Sequence, residues 1–266
     1  MDSRPIGVFD SGLGGLTAVR ALRRMLPDEN IIYFGDTARM PYGARPAAQL
    51  RVMARQDLDF VAARGVKCIL AACGTVSSTA PDVLRGYELR TFDVLSSTVR
   101  EAAKYPGKPI GVIATAACIN SGAFQKALAS ACPGTKIVAV ACPAFVPLIE
   151  SGHYSPDDPA LREAVAEYLA PIRDAGAGTL ILGCTHYGLI EKAIRRFMGR
   201  RIHVIEASAC AARELADWLR EEELCGGTGE EYFCTSGSAE DFTRLSAVFL
   251  GRAPLCAVEH VPEMEV

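Results

Sequence analysis

Cys73 and Cys184 occupy matching positions in this chain. Each closes a short apolar run, Cys68-Ile69-Leu70-Ala71-Ala72 and Thr179-Leu180-Ile181-Leu182-Gly183, and each is followed by Thr within two positions. A thiol works as a base only as its thiolate, and its free pKa lies near ~8.5. A strand that turns into a helix N-terminus offers such an anion backbone N–H groups and a favourable dipole. One cysteine in that setting is more often a buried structural thiol. Two of them, each opening a polar loop at a strand end, point instead to chemistry. Stereoinversion at carbon needs two groups: one takes a proton from one face, the other delivers a proton to the opposite face. Each must stand within hydrogen-bond reach of the proton it moves.

Two other polar residues lie close to these thiols. His186 follows Cys184 by two positions, a spacing poor for a metal site and better suited to acid/base work or to tuning the thiol. Asp10 opens the loop Asp10-Ser11-Gly12-Leu13-Gly14-Gly15-Leu16 and is placed to face Cys73 across it. This Gly-rich loop reads either as a tight turn or as an anion cradle ahead of a helix. A dinucleotide fingerprint would need Gly where Thr17 stands, so that reading fails.

The elements that must carry these residues alternate as β-α-β-α. Strands are expected at 6–9, 31–34, 68–72, 110–114, 136–141, 179–182 and 202–205, and helices at 17–25, 47–63, 121–130, 159–175 and 209–223. Continuous apolar strands between amphipathic helices imply mostly parallel sheets covered on both faces. Ligands then bind beyond the carboxyl ends of the strands, which singles out Asp10-Ser11, Asp36-Thr37, Cys73-Gly74-Thr75, Thr115 and Cys184-Thr185-His186. The echo around the two cysteines suggests two similar α/β halves, each presenting one thiol. The stretch Cys225-Gly226-Gly227-Thr228-Gly229 is turn-rich, and a strand at 232–234 and a helix at 239–250 follow it.

Composition narrows the class. Half of the 266 residues are hydrophobic and 22% are charged, enough to bury a proper core and too apolar for wholesale disorder. The net charge of -3, with no dense Lys/Arg block, argues against a nucleic-acid partner. The ten cysteines contain no C-x-x-C pair, so a zinc ribbon or a thioredoxin-like motif is unsupported. No apolar run reaches membrane-spanning length, and the polar start Met1-Asp2-Ser3-Arg4-Pro5 is unlike a secretory leader. A cytoplasmic protein with reduced thiols is expected.

Taken together, these segments resemble the glutamate racemases of the aspartate/glutamate racemase superfamily, nearly end to end. The resemblance rests on the 10–16 loop, on Gly35-Asp36-Thr37-Ala38-Arg39-Met40-Pro41-Tyr42-Gly43, and on Ala72-Cys73 with Thr75. It extends to Ala141-Cys142-Pro143 through Val146-Pro147-Leu148 and Glu150, and to Leu182-Gly183-Cys184-Thr185-His186-Tyr187. It implies two similar parallel-sheet α/β domains, 1–94 with 207–266 and 95–206, with the active site in the cleft between them. It implies an isomerase that interconverts L- and D-glutamate with neither cofactor nor metal, and so supplies D-glutamate for peptidoglycan and cell shape. Carried over position by position, Cys73 and Cys184 become the acid/base pair. Asp10 and His186 assist, with Glu150 a partner for His186. Ser11, Pro41, Tyr42, Gly43, Thr75 and Thr185 correspond to substrate contacts. A homodimer is also implied, with no residue-level support in the sequence.

Two departures fall at positions expected to hold the substrate. Gly74 stands where the family usually has Asn, and Cys118 where it usually has a second Thr. A lost hydrogen bond costs about 0.5–1.5 kcal/mol, more for a charged partner. These changes bear on substrate affinity or choice, because the catalytic pair is intact. Gly188 replaces a usual Pro, a loop matter. Three other readings compete: a racemase for aspartate or another amino acid, a non-catalytic binding or regulatory protein on the same scaffold, and a thiol redox protein. Retention of both cysteines weighs against the second, and their wide separation without C-x-x-C against the third.

Overall fold

The computed structural model describes residues 1–262 and 264. The chain divides into two compact units, Met1–Val94 with Ser208–Val266, and Leu95–Ala207.

The discontinuous unit is built on β1 (Ile6–Asp10), α1 (Leu16–Met25), β2 (Ile31–Gly35), α2 (Ala47–Ala62), β3 (Cys68–Ala71), α3 (Gly74–Thr79), α4 (Pro81–Arg85) and β4 (Thr91–Asp93). The continuous unit follows, with α5 (Val94–Ala102) leading into it. It holds β5 (Ile110–Ala114), α6 (Ala116–Asn120), α7 (Ala123–Ala131), β6 (Ile137–Ala141), α8 (Phe145–Glu150), α9 (Pro159–Asp174), β7 (Thr179–Leu182), α10 (Glu191–Met198) and β8 (His203–Glu206). The chain then returns through α11 (Ala207–Glu221) to β9 (Glu231–Thr235), α12 (Ala239–Leu250) and β10 (Val258–His260).

Among the described residues the first unit carries a six-stranded sheet, ordered β10-β9-β2-β1-β3-β4. Every pairing in it is parallel. Strands of a parallel sheet covered on both faces expose no polar face, which is why β1 is apolar from Ile6 to Phe9 and why all five of its residues, the closing Asp10 included, are buried. Helix α2 covers it with Leu50, Met53, Ala54, Leu58 and Val61, a stripe at helical spacing. Each of the larger ones, the Leu, Met and Val side chains, contributes about 1.5–3 kcal/mol on burial. The approach is close: a Cβ on Gly7 would sit 2.2 Å from Val61 Cγ1. In the register, Asp10 pairs with Gly35, Gly35 with Thr235, and Phe9 with Ala71. The loops after β1, β2, β3 and β9 therefore leave one edge of the sheet together.

The second unit has a four-stranded parallel sheet, ordered β6-β5-β7-β8. Ala114 pairs with Ala141, and Ile113 with Leu182, so Thr115, Cys142 and Cys184 also leave a common edge. The expectation of two parallel-sheet α/β domains is borne out.

Several elements differ from the sequence reading. β4 and β10 were not expected: each is only three residues long, and β10 pairs on one side only. Helices α3, α4, α6 and α8 are too short for their periodicity to register. The turn after Cys184 is a 3-10 helix over Thr185–Ile190, not an α-helix. No helix of the described residues is long and apolar enough to cross a membrane.

Candidate active site

In the first unit the β1 and β3 loops meet. Asp10 ends β1 with its carboxylate buried, accepting the Gly15 N–H at 2.7 Å. Gly15 must be glycine here, because a Cβ would lie 2.6 Å from Asp10 Cβ and 3.0 Å from Ala72 Cβ. The loop is held from beneath by Tyr33, whose hydroxyl donates to the Gly12 carbonyl at 2.7 Å. The amides of Leu16, Thr17 and Ala18 bond back to Leu13, Gly14 and Gly15. The N–H groups from Gly15 to Ala18 are thus already used. That corrects the anion-cradle reading of the loop for these positions.

Cys73 follows β3 and caps α3. Its thiol lies 3.4 Å from Ser11 Oγ. Burial, and then the nearby Asp10 carboxylate, push the thiol up to about 12, against the pull of the Ser11 hydroxyl and of the Val76 and Ser11 N–H groups. The strand-to-helix setting alone therefore does not yield a thiolate at rest. Gly74 and Thr75 are the first, buried residues of α3. Pro41 and Gly43 are exposed on the turn after β2, and the Met40–Pro41 peptide is cis. Tyr42 between them turns inward and is 1% exposed as a whole residue, so the turn presents Pro41 and Gly43 on either side of it.

In the second unit Cys184 follows β7 and caps the 3-10 helix. Its Sγ lies 3.9 Å from His186 Nδ1, and His186 Nε2 lies 3.0 Å from Glu150 Oε1. A carboxylate on Nε2 favours the tautomer with hydrogen there, which leaves the Nδ1 lone pair toward the thiol. Tyr187 explains how Glu150 arrives. Its hydroxyl donates to the Cys142 carbonyl at 3.1 Å, and its ring meets Phe145 edge-on at 5.2 Å. Helix α8, with Glu150 at its end, is thereby docked on the 3-10 helix. Burial raises the Tyr187 phenol well above its ordinary value, with the Cys184, Cys142 and Cys118 thiols adding to the shift. Thr185 is buried beside His186. Cys118 is buried in α6, where its N–H reaches the capping Thr115 hydroxyl at 3.4 Å. Among the described residues, no group of three or more His, Cys, Asp or Glu side chains is arranged to hold a metal ion.

The sequence gives no separate sign of Tyr33 or Asp57; Arg39 and Tyr187 stand out in it only as parts of signatures, and Asp36 as part of a signature and of a loop that follows a strand. Tyr33 and Tyr187 sit inside or beside apolar runs, where a hydroxyl gives no pattern of its own.

A family model described as Asp/Glu/Hydantoin racemase matches residues 16–215. Glutamate racemase of Thermoanaerobacter pseudethanolicus is 37% identical over 254 residues, covering 94% of this chain and 95% of that protein. The crystal structure of glutamate racemase from Francisella tularensis, in complex with D-glutamate, is similar at a TM-score of 0.90 and 34% identity, covering 99% of both chains. Glutamate racemase of Thermus thermophilus, in complex with beta-chloro-D-alanine, is similar at a TM-score of 0.88 and 38% identity, covering 98% of both. With two parallel α/β sheets, a cysteine closing a strand in each, and matches along nearly its whole length, the chain belongs to the Asp/Glu/hydantoin racemase family.

Proposed function

We propose that this protein is a cofactor-independent glutamate racemase that exchanges the α-proton of L- and D-glutamate between two thiols. The observation that carries the reading is that each unit closes a central parallel strand with a buried cysteine in polar contact, Cys73 with Ser11 and Cys184 with His186. The relatives named above are glutamate racemases, one of them in complex with D-glutamate, and they support the substrate.

In one direction the Cys184 proton passes to His186 Nδ1, backed by Glu150. The thiolate then takes the α-proton: an S–H bond forms and the C–H bond breaks. The electron pair left on carbon is delocalised into the substrate carboxylate and held by polar contacts there. Cys73 gives its S–H proton to the opposite face and becomes the thiolate. The reverse direction starts from Cys73, with Asp10 beside it. Nothing is oxidised, and one proton enters for each that leaves. A thiol whose ordinary state is protonated, as Cys73 is, suits the donor's part in the first direction. Ser11, Pro41, Gly43, Gly74, Thr75, Cys118 and Thr185 form the substrate surface, with Tyr42 buried beneath its turn. The product would serve peptidoglycan synthesis in the cytoplasm, from a homodimeric enzyme.

The test is α-carbon exchange in deuterated water, followed with optical rotation, for L-glutamate and L-aspartate. Deuterium uptake with loss of rotation for glutamate supports the reading. Turnover of aspartate alone would reassign the substrate. No exchange with either would remove the racemase activity from this protein.

A further inference from the structure

Helix α2 buries a stripe at 50, 53, 54, 57, 58 and 61, and one member of that stripe is a carboxylic acid, Asp57. It is fully buried and faces the turn after β2. There it meets Asp36, Arg39 and Tyr42, all 1% exposed or less. Counting protons in this cluster decides its charge.

Asp36 is served as a carboxylate. It accepts Arg39 Nε at 2.5 Å, Ser236 Oγ at 2.7 Å and the Tyr42 hydroxyl. Asp57 is served differently. Its Oδ1 accepts Arg39 Nη2 at 2.9 Å, while its Oδ2 lies 2.8 Å from the same Tyr42 hydroxyl. The phenol has one proton and two carboxyl neighbours. If it donates to Asp36, the contact with Asp57 sets oxygen lone pairs against each other unless Asp57 itself carries a proton. Charge agrees: Arg39 balances one carboxylate, and a second would leave an uncompensated buried negative charge. The charged and titratable groups facing Asp57 are Asp36, Arg39 and Tyr42 on the turn and Asp10 at the end of β1.

We infer that Asp57 is a neutral carboxylic acid that donates to Tyr42 and serves as a positioning residue for the Pro41–Gly43 turn. Burial, and then Asp36, raise its carboxyl well above the usual range, in keeping with this. The arrangement fixes the turn from both ends: Tyr42 by its phenol, and Arg39 by its fork on Asp36 and Asp57, with a third contact to Gln56 Oε1 at 2.5 Å. Its bearing on catalysis rests on the proposed function, in which this turn contacts the substrate.

Asp57→Asn is the discriminating variant, because an amide reproduces a neutral acid, donating from Nδ2 and accepting at Oδ1. The infrared difference spectrum between wild type and D57N at neutral pH should show the C=O stretch of one protonated acid. Its absence, with a carboxylate band lost instead, overturns the inference. Amide hydrogen exchange in the peptide spanning 37–46 should be the same in wild type and D57N and faster in D57L. Equal exchange in D57L would show that Asp57 does not hold the turn. With glutamate as substrate, D57N should keep KM within roughly threefold, while D57L raises it about tenfold, the loss expected for a buried hydrogen bond. A tenfold rise in D57N as well would mean that the charge, not the donor, matters, and would also overturn it. The infrared and exchange arms need no substrate, so failure to turn over glutamate would sink the proposed function and leave those two arms to decide this inference.

Discussion

Ser11 Oγ stands 3.4 Å from Cys73 Sγ, so the loop that leaves β1 touches the thiol that closes β3. At rest the thiol donates to the hydroxyl. Once the thiol ionises, the hydroxyl turns over and donates to the thiolate, which it stabilises. Ser11→Ala removes that donor and drives the Cys73 pKa further up. Alkylation of Cys73 at fixed pH, followed by peptide mass spectrometry, should slow by roughly tenfold, the worth of one charge-assisted hydrogen bond. The alkaline shift should appear in the pH–rate curve too. An unchanged alkylation rate would separate Ser11 from the thiol's ionisation.

Cys73→Ser and Cys184→Ser each leave one thiol and replace the other with a far weaker acid. Each variant should lose racemisation by on the order of 10³-fold or more, the contribution typical of a positioned acid/base group. Polarimetry on L-glutamate and on D-glutamate reads this directly. If either variant inverted at near the wild-type rate, the two-thiol assignment would fall.

The Glu150 carboxylate holds His186 by Nε2, and the imidazole in turn faces Cys184. Glu150→Leu frees the ring to take either tautomer. It should lower turnover by about 10–100-fold, as loss of an orienting partner commonly does, while Glu150→Gln, which keeps an acceptor, retains most of it. Equal turnover in E150L and wild type would reduce the contact to packing.

Burial raises the Cys68, Cys73 and Cys234 thiols, each to about 12. In the unfolded chain they ionise near the ordinary value of 9.0. Below that value both states hold these protons and the stability is fully present. Above it the unfolded chain releases protons that the folded chain keeps, so stability falls as pH rises toward 12. The slope is at most about 1.4 kcal/mol per thiol per pH unit. Thermal midpoints measured across the alkaline range should drop, and Cys68→Ala should flatten the drop. No loss of midpoint above the ordinary thiol value would contradict the burial argument.

The sequence exposes its architecture where side-chain periodicity is unambiguous. Ile6 to Phe9 and Leu180 to Leu182 are unbroken apolar runs, and they lie at the centres of the two sheets. Asp10 and Cys184 stand out because they sit where those runs stop, Cys73 because it closes the run from Cys68 to Ala72, and His186 because it follows Cys184 by two positions. The rest was hidden for definable reasons. Helix α8 contains Pro147 and lasts six residues, so nothing in its pattern shows that Glu150 ends a helix. Asp57 occupies a core position of an otherwise ordinary amphipathic helix, and its partner Arg39 is 18 residues away in sequence. Tyr42 belongs to a motif that marks a turn, yet motif and composition alike leave open whether its ring faces solvent or carboxylates. Pairings like these exist only once the sheet has brought distant segments together.

Strand β9, which pairs with β2, is made long after it. Ser236, at the end of β9, donates to Asp36 beneath the Pro41–Gly43 turn, and Thr37 reaches Thr235 at 2.6 Å. A growing chain therefore carries β1, β2 and β3, with both Asp10 and Cys73, through the whole synthesis of the second unit before that turn gains these supports. Translation order makes the first-encoded half of the molecule the last to be completed. A ribosome stalled short of residue 236 would hold the thiol residues of both units without the finished turn.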